Sequence, residues 1–240
     1  MAESSVLAVA AIVAAGAALQ ASVGVGFAVL AAPIVAILAP ELVPGPMLVL
    51  GLLLASLTTT RDFRSVDTRD LGLAMAGRIP GTVAAGAVIA LLPMSVFSAI
   101  FALMILAAVG LSVSRWHLLP TPRNLVAAGL LSGFMGTITS VGSPPIGLVY
   151  QNMPGPKVRA TLSAYFMLGA GVSLLTLAMV GRFTVAQVTS CAWLVPSVVL
   201  GFVVARRFAR SVDSSKAVLK LAVLGVSTLA ALTLLLKPLF

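Results

Sequence analysis

Acidic side chains are scarce in this chain: six in 240 residues. Glu3 stands near the start, and Glu41, Asp62, Asp67, Asp70 and Asp213 lie in or beside turns between apolar runs, so none falls mid-run. A carrier of metal cations ordinarily lines its path with carboxylates, and an intramembrane aspartyl enzyme needs a pair of them. Both classes are disfavoured. The single histidine, His117, sits in a loop, which leaves Ser140 and Ser143 without a base and argues against a serine hydrolase. The single cysteine, Cys191, excludes an intrachain disulfide and a cysteine metal cluster; inside an apolar run it reads as packing. Nothing points to a metal or a cofactor. The opening stretch MAESSVLAV lacks Lys and Arg, so the first apolar run reads as a mature helix and not as a secretory signal.

What the chain has instead is apolar length. It is 60% hydrophobic and only 9% charged, with a mean hydropathy of +1.15, far from soluble composition. That defines an all-α integral membrane protein with a lipid bilayer as partner. The net charge of +9 comes from 15 basic residues, but they lie mostly in short loops. This is the positive-inside pattern and not a nucleic-acid surface.

Ten apolar segments are expected, at residues 5–22, 26–40, 46–60, 71–92, 95–113, 123–139, 143–151, 158–180, 186–208 and 216–236. Two places interrupt the pattern. A helix arriving at Thr139 meets Ser140-Val141-Gly142-Ser143-Pro144-Pro145, where glycine frees the backbone and two prolines disfavour helix before them. The piece after this break, ending at the polar turn from Gln151 to Pro156, is too short to cross ~30 Å of hydrocarbon. The first two segments are joined through Gln20-Ala21-Ser22-Val23-Gly24-Val25-Gly26, with Pro33 beyond. Each half of the chain therefore begins with a broken or re-entrant helix pair.

At a fixed offset of 116, Gly24 falls on Ser140, Gly26 on Gly142 and Pro80 on Pro196, while the Pro-Gly-Pro turns at 44 and 154 match at 110. Two five-segment repeats are expected, 1–113 and 123–240, joined by a cytoplasmic linker at 114–122. Alternating sides for successive segments gives one side twelve basic residues, among them Arg61, Lys157, Arg159, Arg206 and Arg207, and the other only Arg182 and Lys237. The basic side is the cytoplasm, both termini lie outside, and five being odd, the repeats insert with inverted topology.

The breaks, entered from opposite sides, are expected to approach near the midplane and to aim helix N-termini, with unpaired amides and positive dipole ends, into one space. Such a space suits an anion. The candidate substrate-binding residues are Gln20, Ser22, Thr137, Thr139, Ser140 and Ser143 as donors, and Gly24, Gly26 and Gly142 for close backbone approach. Gln151 stands at the far end of the second break. Glycine, serine and threonine equally serve close helix packing in membranes. Arg78, two residues before Pro80, is the one charge well inside an apolar segment; it either compensates an anion or snorkels to the interface. Its counterpart at the repeat offset is Leu194. Trp116 and Trp193 read as interface or packing residues, and Arg206, Arg207 and Arg210 as topology determinants.

In these residues the chain resembles the sulfite exporter TauE/SafE family, also called the toluene sulfonate uptake permease family. That family carries a glycine-rich signature followed by proline near the start of each half. Here Gly24-Val25-Gly26-Phe27 with Pro33 resembles the first copy, and Gly133-Phe134-Met135-Gly136 leading to Ser140–Pro145 resembles the second. Phe27, Ser140 and Ser143 stand at glycine-like places. The resemblance implies export or uptake of sulfite, organosulfonates or related anions across the bacterial cytoplasmic membrane, with no enzyme activity. A passive anion channel and an accessory membrane subunit remain as alternatives, and the oligomeric state stays open, a homodimer included. Cysteine labelling in intact cells is expected to find residues 61–69 and 207–215 protected and residue 182 reactive from outside; the opposite pattern overturns the inverted orientation.

Overall fold

The computed structural model describes residues 3–91, 93–114, 118–151, 153, 155–208, 224–225, 227–233 and 236. Trp116, His117, Asn152, Pro154, Arg210, Asp213 and Lys237 lie outside the described residues. Every regular element among the described residues is helical: α1 (Glu3–Val23), α2 (Phe27–Leu38), α3 (Gly45–Asp62), α4 (Thr68–Leu91), α5 (Met94–Val113), α6 (Pro122–Thr139), α7 (Ser143–Tyr150), α8 (Gly155–Met179), α9 (Val185–Ser190) and α10 (Val195–Phe208). Of the last expected segment, residues 224–225, 227–233 and 236 are described and helical. Four stretches, Ser5–Val23, Thr68–Leu91, Gly155–Met179 and Val185–Arg207, are long and apolar enough to cross a membrane. By contrast α2, with 12 residues, and α7, with 8, rise about 18 and 12 Å and cannot span alone.

The expected segment 186–208 is not one helix. It divides into α9, a 3-10 turn at Ala192–Leu194 and α10, where Pro196 takes the second position. A proline there replaces an amide that has no intrahelical partner anyway. Pro80, the offset partner of Pro196, instead sits within the continuous α4.

Helix packing is closest where side chains are absent. The most extensive pairing is α4 on α6, followed by α3 on α8 and α1 on α10. A Cβ on Gly77 or Gly81 of α4 would lie under 3.0 Å from the backbone of Val126 or Leu130, and one on Gly129 or Gly133 of α6 would strike the carbonyls of Ala74 or Arg78. Two Gly-x-x-x-Gly faces thus interlock, backbone on backbone, as small residues do in lipid, where packing and not water exclusion drives association. In the α1–α10 pair Gly201 meets the Ala14 carbonyl and Ala17 in the same way.

One end of the bundle gathers the described ion pairs. Arg159 and Arg61 of α8 and α3 hold Asp62 at 2.6 and 2.8 Å, and Lys157 holds Asp67 at 2.7 Å. Arg61 also donates to the Ala21 carbonyl at 2.9 Å, so the end of α1 lies here too. Asp67 caps α4 by accepting from the Asp70 amide at 3.0 Å. That bond, with Lys157, holds its carboxyl below the usual carboxylate range. Gly77→Ala and Gly129→Ala are expected to lower the melting temperature of purified protein sharply, since overpacking costs about 1–3 kcal/mol. Gly72→Ala and Gly110→Ala, where an added Cβ meets nothing within 4 Å, should leave it unchanged or raise it slightly, since alanine favours helix over glycine. Equal melting temperatures for all four variants would remove the interlock.

Candidate functional site

The first break is glycine's work. Gly24 and Gly26 take φ of 96° and 121°, values that L side chains rarely adopt. Gln20, from the last turn of α1, reaches across the gap, and its Oε1 accepts from the Phe27 amide at 3.3 Å. It caps α2 in place of the absent serine or threonine and keeps its NH2 as a donor. A Cβ on Gly24 would lie 2.8 Å from Arg159 Cα, so this glycine serves packing against α8.

The second break turns on Ser140, the one described non-glycine residue with positive φ, at 65°. Its hydroxyl donates to the Pro44 carbonyl at 3.0 Å, at the start of α3. Thr139 Oγ1 accepts from the Val141 amide at 3.0 Å, and the Gly142 carbonyl accepts from Ser132 Oγ at 2.5 Å. Two of the loosened backbone groups, the Val141 amide and the Gly142 carbonyl, are thereby satisfied by protein. Pro144 and Pro145 occupy the second and third positions of α7. Proline has no N–H, so the N-terminus of α7 offers fewer amides to an anion than its dipole alone suggests.

Arg78 does not snorkel. It is 2% exposed. Its Nη1 donates to Ser132 Oγ at 3.2 Å, its Cζ stands 4.8 Å from the centre of the Tyr165 ring, and Nε has no partner. No carboxylate pairs with it among the described residues. A cation–π contact and one neutral hydroxyl compensate a buried guanidinium poorly.

A small chamber of about 40 Å³ lies between the breaks, lined by Gln20, Phe27, Ala28, Met47, Leu48, Gly51, Arg78, Ser140, Gly142, Ser143, Phe166 and Ala170. Ser143 also borders a larger and mostly apolar chamber of about 440 Å³, reached by Gly26, Gly147, Tyr150, Gln151 and Val158. Among the described residues neither chamber has an acidic lining residue, and no cluster of metal-ligating side chains occurs.

Of the residues singled out from sequence, Gln20, Arg78, Ser140, Gly142 and Ser143 share the small chamber, and Gly26, Ser143 and Gln151 the larger one. Ser22 is turned back onto the Ala18 carbonyl at 2.8 Å. Thr139 serves the break's own backbone. Thr137 joins Thr82 and Ser173 in a buried hydroxyl cluster at 3.4 and 2.9 Å, and Gly24 packs on α8. Sequence reasoning missed Ser132, Tyr165, Phe166 and Gly169. Only Ser132 left a signal, lying within the Gly129-x-x-x-Gly133 spacing.

A helical membrane protein with two broken helix pairs around a cationic chamber belongs, as a class, with transport proteins. The comparison with protein families is specific: the family model described as sulfite exporter TauE/SafE matches residues 8–234. The chain belongs to that family, one of transporters of sulfite and related sulfur anions. Neither curated proteins nor solved structures give a match.

Gly26→Leu and Gly142→Leu are expected to abolish transport with protein still in the membrane. The first forces φ of 121° on a branched residue, and the second drives a side chain into Ser132, 2.8 Å from where its Cβ would stand. Wild-type flux in both would take the breaks out of the site.

Proposed function

We propose that the chain is a secondary transporter of a small anion, sulfite or an organosulfonate or related sulfur anion, in the bacterial cytoplasmic membrane. The observation that carries this reading is Arg78: 2% exposed, without a carboxylate partner among the described residues, and facing a chamber between the two broken helix pairs. A buried cation whose protein partners are neutral gains most from an incoming anion. The chamber's size supports a compact ligand. On the same measure one water needs about 10–15 Å³, so about 40 Å³ suits a few heavy atoms, as in sulfite, and a longer organosulfonate would extend into the adjoining chamber.

Alternating access in this reading is a rocking of two inverted repeats, 1–113 and 123–240, around a midplane site, with the ion-paired end cytoplasmic and both termini outside. The pairing pattern supports it. Exchanging the repeats turns the α4–α6 pair into the α10–α1 pair and maps α3–α8 onto itself.

Export of a monovalent anion needs no coupled ion, since the inside-negative potential contributes about 2.3 kcal/mol per charge per 100 mV. That sustains a concentration ratio of roughly fifty. In proteoliposomes loaded with sulfite or methanesulfonate, an inside-negative potassium diffusion potential is expected to accelerate efflux without a sodium or proton gradient. Efflux should saturate and show counterflow, and Arg78→Gln should abolish it. Flux that ignores the potential and follows a sodium or proton gradient overturns uniport; non-saturating flux without counterflow makes the protein a channel; wild-type flux in Arg78→Gln removes the anion site.

A further inference from the structure

Arg78 is held at two levels, and glycine supplies both. At the backbone, its carbonyl lies under 3.0 Å from where a Cβ on Gly133 of α6 would be, so α4 sits directly on α6 and cannot come nearer. At the head group, a Cβ on Gly169 of α8 would fall under 3.0 Å from Nε, Cζ and Cδ together, 2.6 Å from the last. Three consecutive side-chain atoms against one missing methyl describe a flat guanidinium lying on bare helix backbone. One turn earlier on α8, Tyr165 places its ring 4.8 Å from Cζ. The next residues along each turn, Phe166 and Ala170, line the small chamber. Side by side, then, one pair on α8 seats the cation while its neighbours wall the space the cation faces.

We infer that Gly169 is a positioning residue of the anion site: its absent side chain is the slot that keeps the Arg78 guanidinium against α8 and leaves the small chamber empty for a ligand. This rests on the reading of Arg78 as the residue that meets the anion. A methyl group at position 169 cannot coexist with the guanidinium where it lies. With the Arg78 backbone against Gly133 and Nη1 tied to Ser132 on one side, the space that remains is the chamber itself, so the displaced head group fills the room the anion would take. Gly171 is the matched control, on the same helix with nothing within 4 Å of its would-be Cβ.

The test has two arms on full-length protein in nanodiscs. In the first, protein labelled with 15N-arginine is observed by NMR, and the Arg78 Nε signal is identified by its loss in Arg78→Gln. A buried N–H exchanges slowly with water. Gly169→Ala is expected to move this signal and speed its exchange at least tenfold, whereas Gly171→Ala leaves both as they were. In the second, sulfite and methanesulfonate binding is titrated for Gly169→Ala, Arg78→Gln and the double variant. Gly169→Ala should weaken binding at least tenfold, and adding it to Arg78→Gln should cost nothing more, because a residue that acts only through another is non-additive with it. An unmoved Nε signal in Gly169→Ala overturns the inference, as does full additivity in the double variant. A moved signal together with unchanged binding in Arg78→Gln leaves the slot standing and sinks the anion site instead.

Discussion

A guanidinium buried inside a membrane protein has to be held by neutral partners or by an opposite charge, and here the described residues supply only the former. Taking such an ion from water costs several kcal/mol even after relaxation. One hydroxyl, at 3.2 Å, and one aromatic face offset only part of that. The rest of the interior is arranged around this imbalance. Gly77 and Gly81 bring α4 onto α6 so closely that the arginine's own backbone touches Gly133. Ser132, on the same face of α6, then links the guanidinium to the Gly142 carbonyl in the unwound segment. The charge and the break are therefore one hydrogen-bonded unit, and a ligand that pulls on Arg78 pulls on the geometry of the break.

Unwound backbone inside a membrane protein is tolerated where protein or a wet cavity meets its polar groups, and the two breaks supply partners in different ways. The first uses a side chain from the preceding helix, Gln20, to cap the following one. The second removes the demand for two amides by making them prolines, and meets the remainder with Thr139, Ser132 and the contact of Ser140 to Pro44. Ser140 ends with its proton donated to protein, so towards the chamber it is an acceptor. The donors left there are those of Arg78, the NH2 of Gln20 and Ser143. That balance suits an oxyanion that retains a proton as well as a fully ionised one.

The breaks and the lone charge were legible in the sequence because glycine, proline and arginine act there through local chemistry: backbone freedom, a missing amide, and a charge in an apolar run. Hydroxyls were read less well. Ser22, Thr137 and Thr139 stood at the right places along the chain, but a helical serine or threonine bonds readily to the carbonyl four residues back, and all three do so. What no pattern announced was the seat on α8. Tyr165 and Gly169 are an ordinary pair four apart on an apolar helix, and their role appears only when α4 is laid against them. The Gly-x-x-x-Gly spacings at 77 and 129 were not among the features singled out, and spacing alone does not say which helix each will meet. Pro196 looked like the equal of Pro80, yet one starts a helix and the other rides inside one; proline tells where an amide is missing and not whether a helix continues.

The proposed repeats are alike in path and unlike in charge, and the difference has a mechanistic consequence. At the offset of 116 the α6 glycines Gly129 and Gly133 fall on Val13 and Ala17 of α1, and the position of Arg78 is taken by Leu194, fully buried and apolar. Two symmetric arginines facing each other would make a site of charge +2, suited to a divalent anion and costly to leave empty when it reopens. One arginine makes a site of charge +1. In the proposed transport cycle a monovalent anion would neutralise it, so the loaded carrier would cross without net charge at its centre, and the returning empty carrier would carry the cation. On the proposed export reading the inside-negative potential would act on the return of the empty site, drawing it towards the cytoplasm, where the next anion would bind.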